Sequence, residues 1–144
     1  MRPPCGLART LSFAICVGGE RIEMDWQPIS ESKLWDKINS AEGRMSPQQE
    51  RVWTAIRIAP KKWQLQPWGA PGNGFWAVAI LGQVVLWFND IEDGFNCSQY
   101  NKHGAISDYW CNQDELEHAV QRLVNIIETG KPLDGAMGPP RALD

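Results

Sequence analysis

The chain has 144 residues, of which 22% are charged and 43% hydrophobic, and its formal net charge is −3. This composition is that of one folded domain and excludes a disordered chain. The acidic balance argues against a dedicated nucleic-acid-binding protein, and no apolar run reaches the roughly 20 residues that a membrane-spanning helix needs. We therefore expect neither nucleic acid nor a membrane as a partner.

The N-terminal residues differ in composition from the rest of the chain. Arg2 and Arg9 precede a short apolar run, Leu11 to Val17. This run is at the lower limit for a secretory signal, and no good cleavage site follows it. We predict that residues 1–23 are a disordered or misassigned extension, with translation beginning at Met24.

Two helices are predicted next. Ser30 is a typical N-cap residue, and Ile29 and Leu34 stand at the positions of a hydrophobic staple. Gly43 is suited to end this helix. Ser46-Pro47-Gln48-Gln49 then has the pattern of a capping box with proline at the first helical position, which predicts a second helix.

The second helix is expected to be short. Val52, Thr54, Ile56 and Ile58 alternate with Trp53, Ala55 and Arg57, which is the period of a strand, so we predict a change from helix to strand near Trp53. Pro60 marks the end or the edge of that strand. Residues 61–74 are predicted to be mostly a loop rich in proline and glycine.

A β-hairpin is the strongest predicted element. Phe75 to Leu81 and Val84 to Phe88 are apolar runs, and Gly82-Gln83 between them fits a type II′ turn. Both runs are nearly continuous, which indicates a central pair of strands. A polar turn follows, and Phe95 to Tyr100 is predicted as a third strand near an edge.

The last helix is predicted to begin after Asn112, with Glu115 at its third position and Gly130 at its end. Its apolar stripe comprises Leu116, Ala119, Val120, Leu123, Ile126 and Ile127. Residues 131–144 are expected to be a flexible tail. The fold class predicted for the single domain, residues 24–130, is α+β. An antiparallel sheet of three or four strands would carry the C-terminal helix on one face, and one or two N-terminal helices would cover the other face or an edge.

The four cysteines include no CxxC pair. Cys97, His103, Cys111 and His118 have spacings that match no familiar zinc site, so we predict no metal and no cofactor. Free thiols in a reducing cytoplasm are the default expectation.

One candidate site is an acidic turn beside aromatic residues. Asp90, Glu92 and Asp93 crowd one connection between strands, and the chain contains eight tryptophans. Acidic residues can steer a basic partner, and aromatic residues are enriched at binding hot spots. We predict a partner-binding face on the loop side of the sheet that includes these three residues with Trp68 and Tyr100. The same acidic residues also suit a turn for purely structural reasons.

A second candidate site would serve a small enzyme or a ligand-binding domain. His103, Asp108 and Tyr109 lie in one loop region and could transfer protons near the 61–74 loop. No nucleophile elbow accompanies them. A third alternative is a structural subunit of a larger assembly.

Three stretches of the chain look familiar: residues 74–79, 87–96 and 109–116. They resemble a group of small bacterial α+β proteins described only as uncharacterised, and the resemblance spans residues 53–124. It implies the fold class and brings no activity with it. In size and layout the chain is also similar to bacterial immunity proteins, which neutralise a toxin by binding it. We therefore expect a small cytoplasmic protein-binding module of this kind.

Overall fold

The computed structural model describes residues 27–68 and 73–131, together with two short strands nearer the N-terminus. The strands and helices are, in chain order, β1 (Ala14–Val17), β2 (Glu20–Glu23), α1 (Glu31–Glu42), α2 (Pro47–Ile56), β3 (Arg57–Trp63), β4 (Phe75–Leu81), β5 (Val84–Asn89), β6 (Gly94–Gln99) and α3 (Leu116–Thr129). Strands β1 and β2 pair as an antiparallel hairpin in the region expected to be an extension. The rest of that region, Met24 and the tail from residue 132 lie outside the described residues.

The main sheet confirms the predicted fold class. It has four antiparallel strands in the order β3-β4-β5-β6, so the predicted hairpin β4–β5 is central. Gly82, which begins the hairpin turn, has a φ of 58°, as a type II′ turn requires. Strand β6 is an edge strand of this sheet, as predicted.

The predicted helix caps are largely confirmed. The Ser30 side chain accepts from the Lys33 N–H, and Ser46 and Gln49 form the complete capping box. However, α2 continues to Ile56, so the predicted change to a strand near Trp53 is wrong. Trp53 is buried on the helix, and its indole N–H donates to Glu42 at 2.8 Å, which fixes the helical conformation there. Strand alternation begins only at β3.

The last helix begins later than predicted. Its N-cap is Glu115, without a side-chain cap, because Asn112 instead pairs with β6: the Asn112 N–H donates to the Asn96 side chain at 2.8 Å. The stripe residues Leu116, Ala119, Val120 and Leu123 are buried. Ile127 is 54% exposed and does not belong to the buried stripe, whereas Gly130 ends the helix in the left-handed conformation as expected.

All three helices pack on one face of the sheet. Leu34 and Ile38 of α1, Trp53 of α2 and Leu123 of α3 belong to a single buried cluster with Leu86 of β5 and its neighbours. The prediction that the two N-terminal helices cover the other face or an edge is therefore wrong. The opposite face is buried instead by loops, which leaves loop residues to form its outer surface.

Candidate functional site

The second face of the sheet is covered by a loop layer, formed by residues 64–68 and 100–112. Alternation along β5 sends Val85 and Trp87 to this face, where they join a second buried cluster with Trp63 and Phe75. Two hydrogen bonds of 2.8 Å close the layer, from the Gln64 N–H to the Gly104 carbonyl and from the Ile106 N–H to the Gln64 carbonyl. The two loops of the layer are thus joined to each other at defined points.

A cleft of about 240 Å³ opens in the loop layer, and we call it the loop-face cleft. Its lining residues are Leu65, Gln66, Trp68, Ser107, Asp108, Tyr109 and Trp110. Trp68 and Trp110 are half-buried, whereas Gln66, Ser107 and Asp108 are exposed. The cleft therefore combines aromatic surface with polar groups at its rim.

Ring stacking holds the aromatic wall of the cleft. Trp68 stacks on Tyr109 with 4.2 Å between ring centroids and 22° between planes. Tyr109 in turn packs against Trp87 and Phe75 beneath it, at 6.2 and 6.4 Å. Because Tyr109 is buried against the sheet, the Trp68 ring is placed before any partner arrives.

Polar side chains of the sheet position the other wall. The Ser98 hydroxyl donates to the Asp108 carbonyl at 2.8 Å and accepts from the Trp87 indole N–H at 2.9 Å. The Asn89 amide donates to the Trp110 carbonyl at 3.0 Å. Sequence reasoning did not single out Ser107 or Trp110, although an aromatic residue next to Asp108 and Tyr109 was an available signal.

The predicted proton-transfer set is only partly assembled. Asp108 and Tyr109 line the cleft, whereas His103 does not; its exposed ring lies against Trp63 at 4.8 Å. Burial raises the pKa of Tyr109 to about 12, and the charges of Glu92 and Asp90 add to that rise against the opposing effect of the Asn89 side chain. Tyr109 is therefore protonated at neutral pH and is a poor general base.

The acidic turn does not face outward as a unit. Asp90 is 8% exposed and Glu92 is 2% exposed, so their predicted role in contacting a partner conflicts with their burial. Asp90 accepts from the Ile29 N–H at 2.8 Å, and burial raises the pKa of its carboxyl, against the effects of that bond and of Lys62. Asp93 is exposed but pairs with Lys37 of α1 at 3.1 Å. The acidic side chains thus connect the turn to the helix side of the sheet.

The five predicted partner-facing residues do not form one surface. Asp90 and Asp93 line a separate cleft of about 480 Å³ on the helix side, together with Gln27, Pro28, Ile29, Ser30, Lys33 and Phe88. Trp68 lines the loop-face cleft. Tyr100 lies in the loop layer, where its hydroxyl donates to the Gly82 carbonyl at 2.8 Å. Of the predicted set, only Trp68 lines the loop-face cleft.

The cysteines differ from the expectation of free thiols. Cys111 is disulfide-bonded, whereas Cys97 is free and buried. Free thiols therefore no longer support the predicted cytoplasmic location, because disulfides persist mainly in oxidising compartments. Within the described ranges, no three metal-binding side chains are grouped around one point, and no helix is long and apolar enough to cross a membrane.

Comparison with protein-family models, with curated proteins and with solved structures gives no match for this chain. Any functional conclusion therefore depends on the chain's own geometry, and the loop-face cleft brings aromatic and acidic side chains together at one place.

Proposed function

We propose that this protein is a binding module that docks on another protein through its loop face, in the manner of toxin-neutralising proteins. The observation that carries the proposal is a pair of half-buried tryptophans, Trp68 and Trp110, on the walls of a cleft whose geometry is already fixed. Tryptophan is the residue type most enriched at binding hot spots. Side chains that are ordered before binding reduce the entropy lost on association.

The size of the cleft favours a protein partner over a metabolite. Its volume of about 240 Å³ lies below the roughly 300–1,000 Å³ typical of small-molecule sites. A space of this size suits one inserted side chain, with the surrounding loop surface completing the interface. The exposed Asp108 carboxylate at the rim would repel a phosphate backbone, which argues against nucleic acid as the partner.

Capture from a lysate of the source organism tests the proposal with matched variants. Ser107→Arg places a bulky side chain at the rim of the cleft, at an exposed position. Glu50→Arg changes an exposed residue on α2, on the helix side of the sheet, and serves as the control. We expect one near-stoichiometric protein to be captured by the wild type and by Glu50→Arg and to be lost with Ser107→Arg.

Two further readouts complete this test. Circular dichroism of both variants checks that each remains folded. If the captured protein is toxic, equimolar wild-type chain should abolish its activity. Capture of no protein, or capture that survives Ser107→Arg and fails with Glu50→Arg, would contradict docking through the loop face.

A further inference from the structure

We infer that the loop-face cleft receives an arginine side chain of the partner protein, with Asp108 as its charge partner and the flanking aromatic rings as its stacking surface. This inference rests on the proposed docking function and adds the chemistry of the group that is recognised.

The charge at the cleft is negative and available. Asp108 is exposed, and none of the ion pairs of the described residues involves its carboxylate. The Ser98 hydroxyl donates to the Asp108 carbonyl, which holds the main chain at this position. An incoming cation would supply the missing partner.

The aromatic wall is suited to a planar cation. Trp68, Tyr109 and Trp110 line the cleft, and Trp68 is held by stacking on Tyr109. A guanidinium group stacks flat on aromatic faces while it donates two parallel hydrogen bonds to a carboxylate. Lysine offers a point charge without that plane, so the combination of rings and carboxylate favours arginine.

Elsewhere in the chain, an arginine is already held by aromatic rings and a carboxylate. The Arg57 guanidinium lies 5.7 Å from the ring centroid of Trp35 and 5.3 Å from that of Trp53. The same guanidinium donates to the Glu42 carboxylate at 2.7 Å. Two tryptophans and one carboxylate therefore already hold an arginine at the junction of α1, α2 and β3. The loop-face cleft is lined by the same kinds of side chain, two tryptophans and one carboxylate, and would take the arginine from the partner.

Nuclear magnetic resonance titration of the full chain tests this inference directly. The probes are N-acetyl-arginine methylamide and its citrulline counterpart, which has nearly the same shape and no charge. We expect the arginine probe to shift the indole signals of Trp68 and Trp110 in a saturable way. We expect the citrulline probe to bind at least about tenfold more weakly, since charge-assisted hydrogen bonds are roughly twice as strong as neutral ones.

Two matched substitutions locate the charge partner. Asp108→Asn should weaken binding of the arginine probe by about tenfold or more, whereas Asp36→Asn, at an exposed position on α1, should leave it unchanged. Equal binding of both probes, shifts confined to other residues, or full binding to Asp108→Asn would overturn the inference. Tighter binding of tetramethylammonium than of the arginine probe would also overturn it, in favour of a small quaternary ammonium ligand.

The outcomes separate this inference from the docking proposal. Suppose that Ser107→Arg abolishes capture of a protein partner while the arginine probe fails to bind. The docking proposal is then supported, and the inference that the cleft recognises an arginine is wrong. If the probe binds but no protein is captured, the cleft recognises a free cation, and the partner's side chain is excluded as its occupant.

Discussion

Two cysteines that are both buried have different chemical states. Burial raises the pKa of the Cys97 thiol to about 12, and its Sγ lies 3.7 Å from the Ala119 carbonyl oxygen. Because the thiolate is the reactive form, Cys97 should be inert at neutral pH. Cys111 is protected for another reason, since its sulfur is already in a disulfide bond.

Alkylation followed by peptide mass spectrometry distinguishes the two. In the native protein, iodoacetamide should modify neither cysteine. In denaturant without reductant, only Cys97 of the two should react, and Cys111 should react after reduction. Modification of Cys111 in unreduced, denatured protein would contradict the disulfide.

The Asn96 side chain acts as a polar connector in the interior. It is 2% exposed, and its amide donates to the Asn112 carbonyl at 3.0 Å while its oxygen accepts from the Asn112 N–H. Replacement by alanine leaves buried main-chain groups of Asn112 without these partners, which costs about 1–3 kcal/mol. We expect Asn96→Ala to lower the free energy of unfolding by about 2 kcal/mol in urea denaturation. Asn101→Ala, at an exposed loop position, should change it by less than about 0.5 kcal/mol.

At the scale of elements, an ion pair connects the end of α1 to the start of α3. Arg44 lies just after α1, and its Nε donates to Glu117 at 2.8 Å, with Glu115 also within 3.3 Å. Burial, the largest single effect, would raise the pKa of Glu117, but the hydrogen bond from Arg44, a backbone hydrogen bond and the charges of Arg44 and His118 together lower it below the ordinary value of 4.5. The pair therefore stabilises the folded state wherever Glu117 is ionised.

This pair gives stability a defined pH dependence. A carboxyl whose pKa is lower in the folded state contributes above its unfolded pKa, and that contribution is lost as pH falls through the folded value. Glu117→Gln should therefore lower the free energy of unfolding at pH 7 by roughly 1–2 kcal/mol, with the difference from wild type shrinking towards pH 3. Urea denaturation at both pH values measures this. A deficit that is the same at pH 3, or an equal loss in the exposed control Glu50→Gln, would show that charge is not the cause.

Close backbone contact joins β6 to the segment before α3. A Cβ at Gly94 would lie 2.1 Å from the Asn112 carbonyl oxygen and 2.4 Å from the Gln113 Cα. Gly94→Ala should therefore destabilise the protein by about 3 kcal/mol or more, because main-chain atoms on both sides would have to move. Gly43→Ala is the control, since its Cβ would meet only the Ser40 carbonyl oxygen at 3.5 Å. Thermal denaturation that ranks Gly43→Ala as the worse variant would contradict this packing.

Elements determined by local signals were predictable from the sequence. The caps at Ser30 and Ser46, the Gly82 turn and the Gly130 stop each depend on one or two neighbouring residues, and the structure confirms all four. The predicted end of α2 and the predicted start of α3 were wrong, and both regions contact residues outside their own helix. The Trp53 indole donates to Glu42 of α1, and Asn112, the expected cap of α3, pairs with Asn96 of β6.

At the scale of the whole molecule, the candidate site was less predictable than the fold. Composition singled out Trp68 and the 108–109 region, but the pairing of loop 64–68 with loop 100–112 depends on contacts far apart in the chain. The acidic turn contacts residues far away in the chain, Ile29 through Asp90 and Lys37 through Asp93, and these contacts could not be inferred from local sequence. The fold class follows from hydrophobic and capping patterns along the sequence, whereas the cleft forms where two loops that are distant in the sequence come into contact.

The two-sided burial of the sheet predicts an order of local stability. Strands β4 and β5 lie between β3 and β6, with helices on one face and the loop layer on the other. Their amides should exchange with solvent most slowly, and those of edge strand β3 faster, because opening an edge exposes less buried surface. Hydrogen exchange followed by nuclear magnetic resonance measures this order. Equal protection of β3 and β4 amides would contradict it.

The two edges of the four-stranded sheet also differ in whether they can pair with a strand of another molecule. The edge of β6 is occupied, since the Phe95 N–H donates to the Asp114 carbonyl at 2.8 Å and Ser107 donates to Gln99. The edge of β3 carries Pro60, which has no N–H, and the exposed Lys61. The four-stranded sheet therefore offers one accessible edge, that of β3, and can pair with at most one other copy through it. Growth of an indefinite fibril by edge-to-edge addition of copies of this four-stranded sheet is therefore blocked by its topology.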